Sequence, residues 1–509
     1  MKGVFYFTAL FSFTVNLFSQ IYIAPIPDGS DSNPGTLEQP FGTFAKAISE
    51  AAAGDTIYVR GGVYNLTNTI TITAVKSGSD SLMYTLKAYG SEQPILDFSA
   101  QSFGSKGISL KANYWHIIGL QVKGAGDNGM EINFGSNNII DRCQFYENRD
   151  TGLQLSYGSA NNKILNCDSY YNADPTDYGD ADGFAPKLTV GSGNYFYGCR
   201  AWGNCDDGWD GYLRGADDVT TTLENCWTWG NGYLKDGTDP GPQANGNGFK
   251  MGGGDNGNSE LLMHHFIVIN CVAFGNKGKG FDQNNNVGSM TLYNCTGYNN
   301  IVANYRIQRT LNPGQELLVK NCVSYAGAVQ LGTFAVQETN SWLNSFDVTS
   351  EDFLSLVSDH ADMLRQPDGN LPEIDFLHLA EGSDLIDAGV ELGYAFNGEA
   401  PDLGAFESDY TTSLSFEEPQ AVQNFNLFQN YPNPFNPVTQ ISYELTDAGV
   451  VTLHIYNLLG QLVDTIVNEW QRAGTHSYIW NAKNMPAGVY LYKLQAGARS
   501  TMKKMILVN

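Results

Sequence analysis

Four aspartates and one lysine stand out by type and spacing: Asp182, Asp206, Asp207 and Asp210, followed by Lys250. Carboxylates gathered this closely repel one another unless something neutralises them. A set of hard oxygen ligands of this size suits Ca²⁺. An EF-hand loop does not fit, because Tyr178 would stand at its first ligand position and Thr189 at its last. Zinc lacks support, since none of the seven histidines forms an obvious ligand pair. His264 and His265 are adjacent on an expected strand and split between its two sides. A lysine beside such acids is either a counter-ion for Asp210 and Asp282 or a general base. A base must be neutral, which requires a pKa below the usual ~10.4. A nearby dication depresses that value, whereas unpaired carboxylates raise it. The base role therefore needs metal at the aspartates and favours alkaline pH.

These side chains need a scaffold that stacks them, and an internal repeat supplies one. Cysteine is followed five positions later by asparagine six times: Cys143/Asn148, Cys167/Asn172, Cys199/Asn204, Cys226/Asn231, Cys271/Asn276 and Cys295/Asn300. A second register runs glycine, apolar, variable: Gly129-Met130-Glu131, Gly152-Leu153-Gln154, Gly183-Phe184-Ala185, Gly208-Trp209-Asp210, Gly248-Phe249-Lys250 and Gly280-Phe281-Asp282, with Asn304-Tyr305-Arg306 closing it. Short β-rich units repeated at such a period mean a stacked solenoid. The expected fold is all-β: a right-handed parallel β-helix over about residues 21–345, followed by a small C-terminal β-sandwich. Side chains alternate across a strand. Phe184, Trp209, Phe249 and Phe281 then stack inside, and the cysteines form a second inner ladder of mostly free thiols. The asparagines form a stacked amide ladder at a turn. Outside runs the column Glu131, Gln154, Ala185, Asp210, Lys250, Asp282 and Arg306. Beside it, just before the glycines, run Asn128, Thr151, Asp182, Asp207, Asn247 and Lys279. Elsewhere glycine follows the ladder asparagine by four positions, as in Asn204 to Gly208. Seven extra residues follow Asn172 and thirteen follow Asn231. Both insertions flank the acids, where Tyr178, Tyr233 and Lys235 are placed to line a cleft.

Composition agrees. The 509 residues carry a net charge of −25, which argues against nucleic acid or a polybasic membrane anchor as partner. Charged residues are only 16% and glycines number 56, unlike a helical bundle. Met1-Lys2 and the apolar run Val4 to Phe18 read as a signal peptide over 1–19. Residues 20–407 form the β-helix region with its terminal segments, including a short helix near Gly42 to Ala53. Residues 350–407 read as a cap or packing extension, and 408–424 as a linker. Beyond it, the YPNPFNP, IYNLLGQLV and PAGVYLYKL segments and the ending from Lys503 to Val508 resemble the sorting domain of the type IX secretion system, over 425–509. That resemblance implies partnership with the type IX machinery, passage across the outer membrane, and a secreted or surface-attached protein. A monomer is expected.

Asp182-Gly183-Phe184-Ala185 with Lys187, Asn204-Cys205-Asp206-Asp207-Gly208-Trp209-Asp210, Gly246-Asn247-Gly248-Phe249-Lys250 and Gly280-Phe281-Asp282-Gln283-Asn284 resemble family 9 polysaccharide lyases. These are calcium-dependent pectate lyases with a right-handed β-helix. The resemblance implies Ca²⁺ held by Asp182, Asp206, Asp207 and Asp210, Lys250 as Brønsted base, and polygalacturonate as the acidic polysaccharide cleaved by β-elimination. Arg306, Lys279 and Asp282 are the expected substrate-binding residues. A lyase of another uronate polysaccharide, such as alginate or a glycosaminoglycan, would use similar metal and base. A hydrolase would need an acid–base carboxylate pair and leave Lys250 without a role. A non-catalytic β-helix adhesin would leave the charged patch unexplained.

Overall fold

The computed structural model describes residues 19–255, 261–343, 346–410, 425–430, 432–445, 449–458, 460–471, 474–483, 485–496 and 499–508. Most of the expected signal peptide (1–18) and linker (411–424) lies outside them. The chain divides into two compact units, with the boundary after Thr412. No described helix is long and apolar enough to cross a membrane.

The larger unit is a parallel β-helix. Its described strands form three long sheets, of 12, 10 and 10 strands, each built by one strand per coil pairing in parallel with its equivalents above and below. The site lies on the second sheet, which runs from Ile70–Ile72 to Val329–Leu331. Its register pairs Glu131 with Gln154, Asp210 with Lys250, Lys250 with Asp282, and Asp282 with Arg306. The outward column read from the glycine repeat is therefore a continuous row, one residue per coil.

The inner face explains why this register holds. Phe184, Trp209, Phe249, Phe281 and Tyr305 stack at centroid separations of 4.9, 5.0, 5.2 and 4.8 Å, all fully buried. Burying each such ring is worth roughly 1.5–3 kcal/mol, and slipping one residue would turn the whole row outward. All eight cysteines are buried and unpaired. At the turn, Asn148, Asn172, Asn204, Asn231, Asn276, Asn300 and Asn304 pass side-chain hydrogen bonds from one amide to the next at 2.8–3.1 Å. Each Oδ1 also accepts the backbone N–H of the preceding rung, so neither donor is left buried and unmet. Asn304, read from sequence as a glycine substitute, is the last rung of this ladder.

The short helix Phe44–Glu50 sits near the N-terminal end, capped by Thr43 and burying Phe44, Ala47 and Ile48. The segment around 350–407 packs along the side of the β-helix. Phe353, Phe376, Leu379 and Leu385 cover Trp227, Val272, Phe274 and Val323 of the third sheet. Asp168 ties it down, taking Arg200 at 2.8 Å and Arg365 at 2.6 Å. The smaller unit packs a three-stranded and a four-stranded antiparallel sheet around Tyr443, Leu453, Trp480 and Tyr492, a β-sandwich.

Candidate active site

The acids converge. Carboxylate oxygens of Asp182, Asp206 and Asp207 all lie within 4.8 Å of one another, and all three residues are buried. Asp210, on the strand Trp209–Asp210, is buried beside them. Lys250 comes from the next strand, Phe249–Lys250. Its Nζ lies 3.0 Å from Asp207 Oδ2 and 3.3 Å from Asp210 Oδ1. Its side chain keeps 12% of its surface in solvent, whereas Asp207 and Asp210 are fully or almost fully buried.

The two insertions supply backbone donors to this cluster. The N–H groups of Asp180 and Asn245 donate to Asp206 at 3.2 and 2.6 Å. Asn247 donates to Asp207 Oδ1 through both its backbone N–H (2.7 Å) and its side-chain amide (2.8 Å). Asp207 N–H donates to Asp182 Oδ1 at 3.2 Å. Of the insertion residues expected to line a cleft, Lys235 is engaged elsewhere, paired with Glu147 over the ring of Tyr171.

A second lysine joins the cluster. Lys187 is buried, with Nζ 2.8 Å from Asp182 Oδ2 and 3.8 Å from Asp210 Oδ2. Its motif in the sequence assigns it no role. The one signal for it is alternation: in Phe184-Ala185-Pro186-Lys187 it takes the second outward position.

The electrostatics follow from this packing. Burial and the charges of Asp210, Asp206 and Asp207 push the Asp182 carboxyl well above its usual range, against the pull of Lys187. Burial raises Asp206 as well. Burial and the Asp206 charge push Asp207 up to about 7. Burial would raise Asp210 too, but Lys250 and Lys187 hold it below the usual range. Burial alone would lower Lys250, yet Asp207, Asp210, Asp206 and Asp182 together raise it well above an ordinary lysine. Four carboxylates against two ammonium groups leave a formal charge of −2, which one divalent cation would balance. Asp207 Oδ2 faces Lys250 but accepts no aligned hydrogen bond. Clustered hard oxygens with uncompensated charge fit a divalent cation. A buried acid cluster of this kind could hold a metal.

The expected substrate residues lie on the following coils. Lys279 pairs with Asp282 at 3.3 Å. Asp282 is buried, and Arg306 above it is exposed. His264 is buried between Gly211 O and Thr221 Oγ1, both at 2.8 Å, and burial lowers its pKa to about 4. It is a core histidine.

Residues 21–324 match the family described as Pel9A-like, right-handed β-helix region. The chain belongs to this Pel9A-like family. Among its relatives, pectate lyase L of Paenibacillus polymyxa (strain SC2) is 42% identical over 396 residues, which is 73% of this chain and 84% of the relative. The crystal structure of pectate lyase Pel9A superposes with a TM-score of 0.69 at 35% identity, covering 77% of this chain and 97% of that one. A solved rhamnogalacturonan lyase gives a TM-score of 0.61 at 27% identity, covering 71% and 96%. Residues 429–508 match the secretion system C-terminal sorting domain, so this Pel9A-like chain carries an export signal of the type IX kind.

Proposed function

We propose that the chain is an exported pectate lyase that cleaves polygalacturonate by β-elimination. In this reading Lys250 is the base, and Asp182, Asp206, Asp207 and Asp210 hold Ca²⁺. The observation that carries it is Lys250 Nζ at 3.0 and 3.3 Å from two members of a buried carboxylate cluster, on a family fold shared with pectate lyases. When bound, the cation would withdraw charge from a uronate carboxylate, acidify the adjacent C5–H and weaken the hold of the acids on the Lys250 proton. Neutral Lys250 takes the C5 proton. The C–H electron pair becomes the C4–C5 double bond, and the C4–O pair departs on the oxygen of the leaving sugar. That oxygen takes up one proton from solvent, matching the one that Lys250 later returns. The product is an unsaturated sugar end, and no water is consumed. Lys279 and Arg306 pair with neighbouring uronate carboxylates, and Asp282 steers Lys279.

The test is ultraviolet absorbance during incubation with polygalacturonate, in calcium and in chelator, for wild type and Lys250→Ala. A calcium-dependent rise that the variant loses is expected, with a loss of about 10²–10⁴-fold for removal of a general base. New reducing ends without absorbance would mean hydrolysis and overturn the mechanism. The likeness to the rhamnogalacturonan lyase favours one second reading, a lyase of that related uronate polysaccharide. Absorbance on rhamnogalacturonan alone would select it.

A further inference from the structure

The second sheet carries a feature that this chemistry leaves unused. Phe134 and Tyr157 directly follow the strands Met130–Asn133 and Leu153–Ser156, whose last residues, Asn133 and Ser156, are register partners. The two rings therefore sit on consecutive coils. Their centroids are 5.4 Å apart, and they are 64% and 48% exposed. Single exposed aromatics need no explanation, but an adjoining pair at the rim of a functional face does. The same strands present Glu131 and Gln154 in the outward column that continues to Asp210 and Lys250. Coils are ~4.8 Å apart, so Tyr157 lies roughly 14 Å and Phe134 roughly 19 Å along the axis from Lys250. Exposed Lys111 follows the strand Ile108–Leu110, whose Leu110 pairs with Ile132, and so stands one coil below Asn133.

We propose that Phe134 and Tyr157 form a distal sugar-binding subsite for the polysaccharide chain. The chain lies along the outward column, and the C–H face of a pyranose ring stacks on the aromatic pair. An aromatic face offers apolar area and a negative π surface to polarised C–H groups. The Lys111 ammonium supplies a partner for the carboxylate of an acidic sugar. The occupant is thus a uronate residue of the same polymer, several rings from the bond that breaks. The enzyme holds long chains more firmly than short ones and acts within the chain. This inference rests on the proposed function.

The experiment compares kcat/KM on polygalacturonate with that on trigalacturonate, which is too short to reach from Lys250 to Tyr157. In the Phe134→Ala/Tyr157→Ala double variant, the polymer-to-trimer ratio should fall about tenfold, the effect of ~1.4 kcal/mol of lost stacking. Tyr157→Phe, which keeps the ring, should retain the wild-type ratio. An unchanged ratio, or an equal fall on both substrates, would overturn the subsite. If wild type cleaves no polygalacturonate, the proposed reaction fails separately. Retardation of the Lys250→Ala protein in native gels containing polygalacturonate or rhamnogalacturonan then decides. Relief of retardation by the double alanine change supports the platform, and its absence refutes it.

Discussion

Lys250 Nζ and Asp207 Oδ2 face each other at 3.0 Å, and the two groups compete for a proton. Burial pushes Asp207 towards the protonated form up to about pH 7, while the surrounding acids keep Lys250 protonated far above that. Whatever removes the proton from Lys250 must first offset the charge of its acidic neighbours.

Catalysis should therefore rise with pH. The neutral fraction of an amine grows tenfold per pH unit below its pKa, and a raised pKa places the rising limb on the alkaline side. More calcium should move that limb to lower pH. Rate profiles at two calcium concentrations would test this, and a limb indifferent to calcium would remove Lys250 from the role of base.

The metal-free protein should lose stability as pH climbs from about 4 to about 7. Asp182, Asp206 and Asp207 all have raised folded pKa values, so the native state holds protons that the unfolded chain has released at ~3.9. Asp210 has the opposite sign, but its folded pKa is lowered, so its contribution changes only below ~3.9 and leaves the slope in this window untouched. The raised lysines contribute stability throughout this window and lose it only in strong alkali. Calcium should raise Tm at pH 8, by about 2.7 kcal/mol of stability at a hundredfold excess over Kd. Asp207→Asn should flatten the pH slope and abolish the calcium response. Differential scanning calorimetry with and without chelator reads both.

Asn231→Ala should cost roughly 2–4 kcal/mol. Asn231 Oδ1 accepts two donors from Asn204, at 3.1 Å each, and its amide donates to Asn276 and Thr228. Truncation strands several buried groups at once. Reducing agent, by contrast, should leave the urea midpoint unchanged, because no cysteine is paired. A midpoint that falls with reductant would contradict the thiol ladder.

Asp168→Ala should cost about 3–5 kcal/mol, because it leaves Arg200 and Arg365 without their shared buried carboxylate. Limited proteolysis should then cut within 350–407 before it cuts the coils.

The legible part of this molecule is its periodic part. Glycine, apolar and outward residues recur once per coil, so the row through Asp210, Lys250, Asp282 and Arg306 could be read from spacing alone. The remaining features are aperiodic. Lys187 reaches Asp182 through side-chain extension, which residue spacing does not encode. The donors Asp180 N–H and Asn245 N–H depend on loop conformations set by tertiary packing. Arg365 meets Asp168 from 197 positions away, and no local signal announces a partner at that distance.

Both insertions begin just after a rung of the amide ladder, at Asn172 and at Asn231, and both return to the coil before its next glycine. The rung secures the turn on the upstream side, and the paired strand receives it on the downstream side. Loop length is thereby uncoupled from coil register. Each loop is a replaceable module, and grafting a different one would alter what surrounds the acids while leaving the stack beneath them in phase.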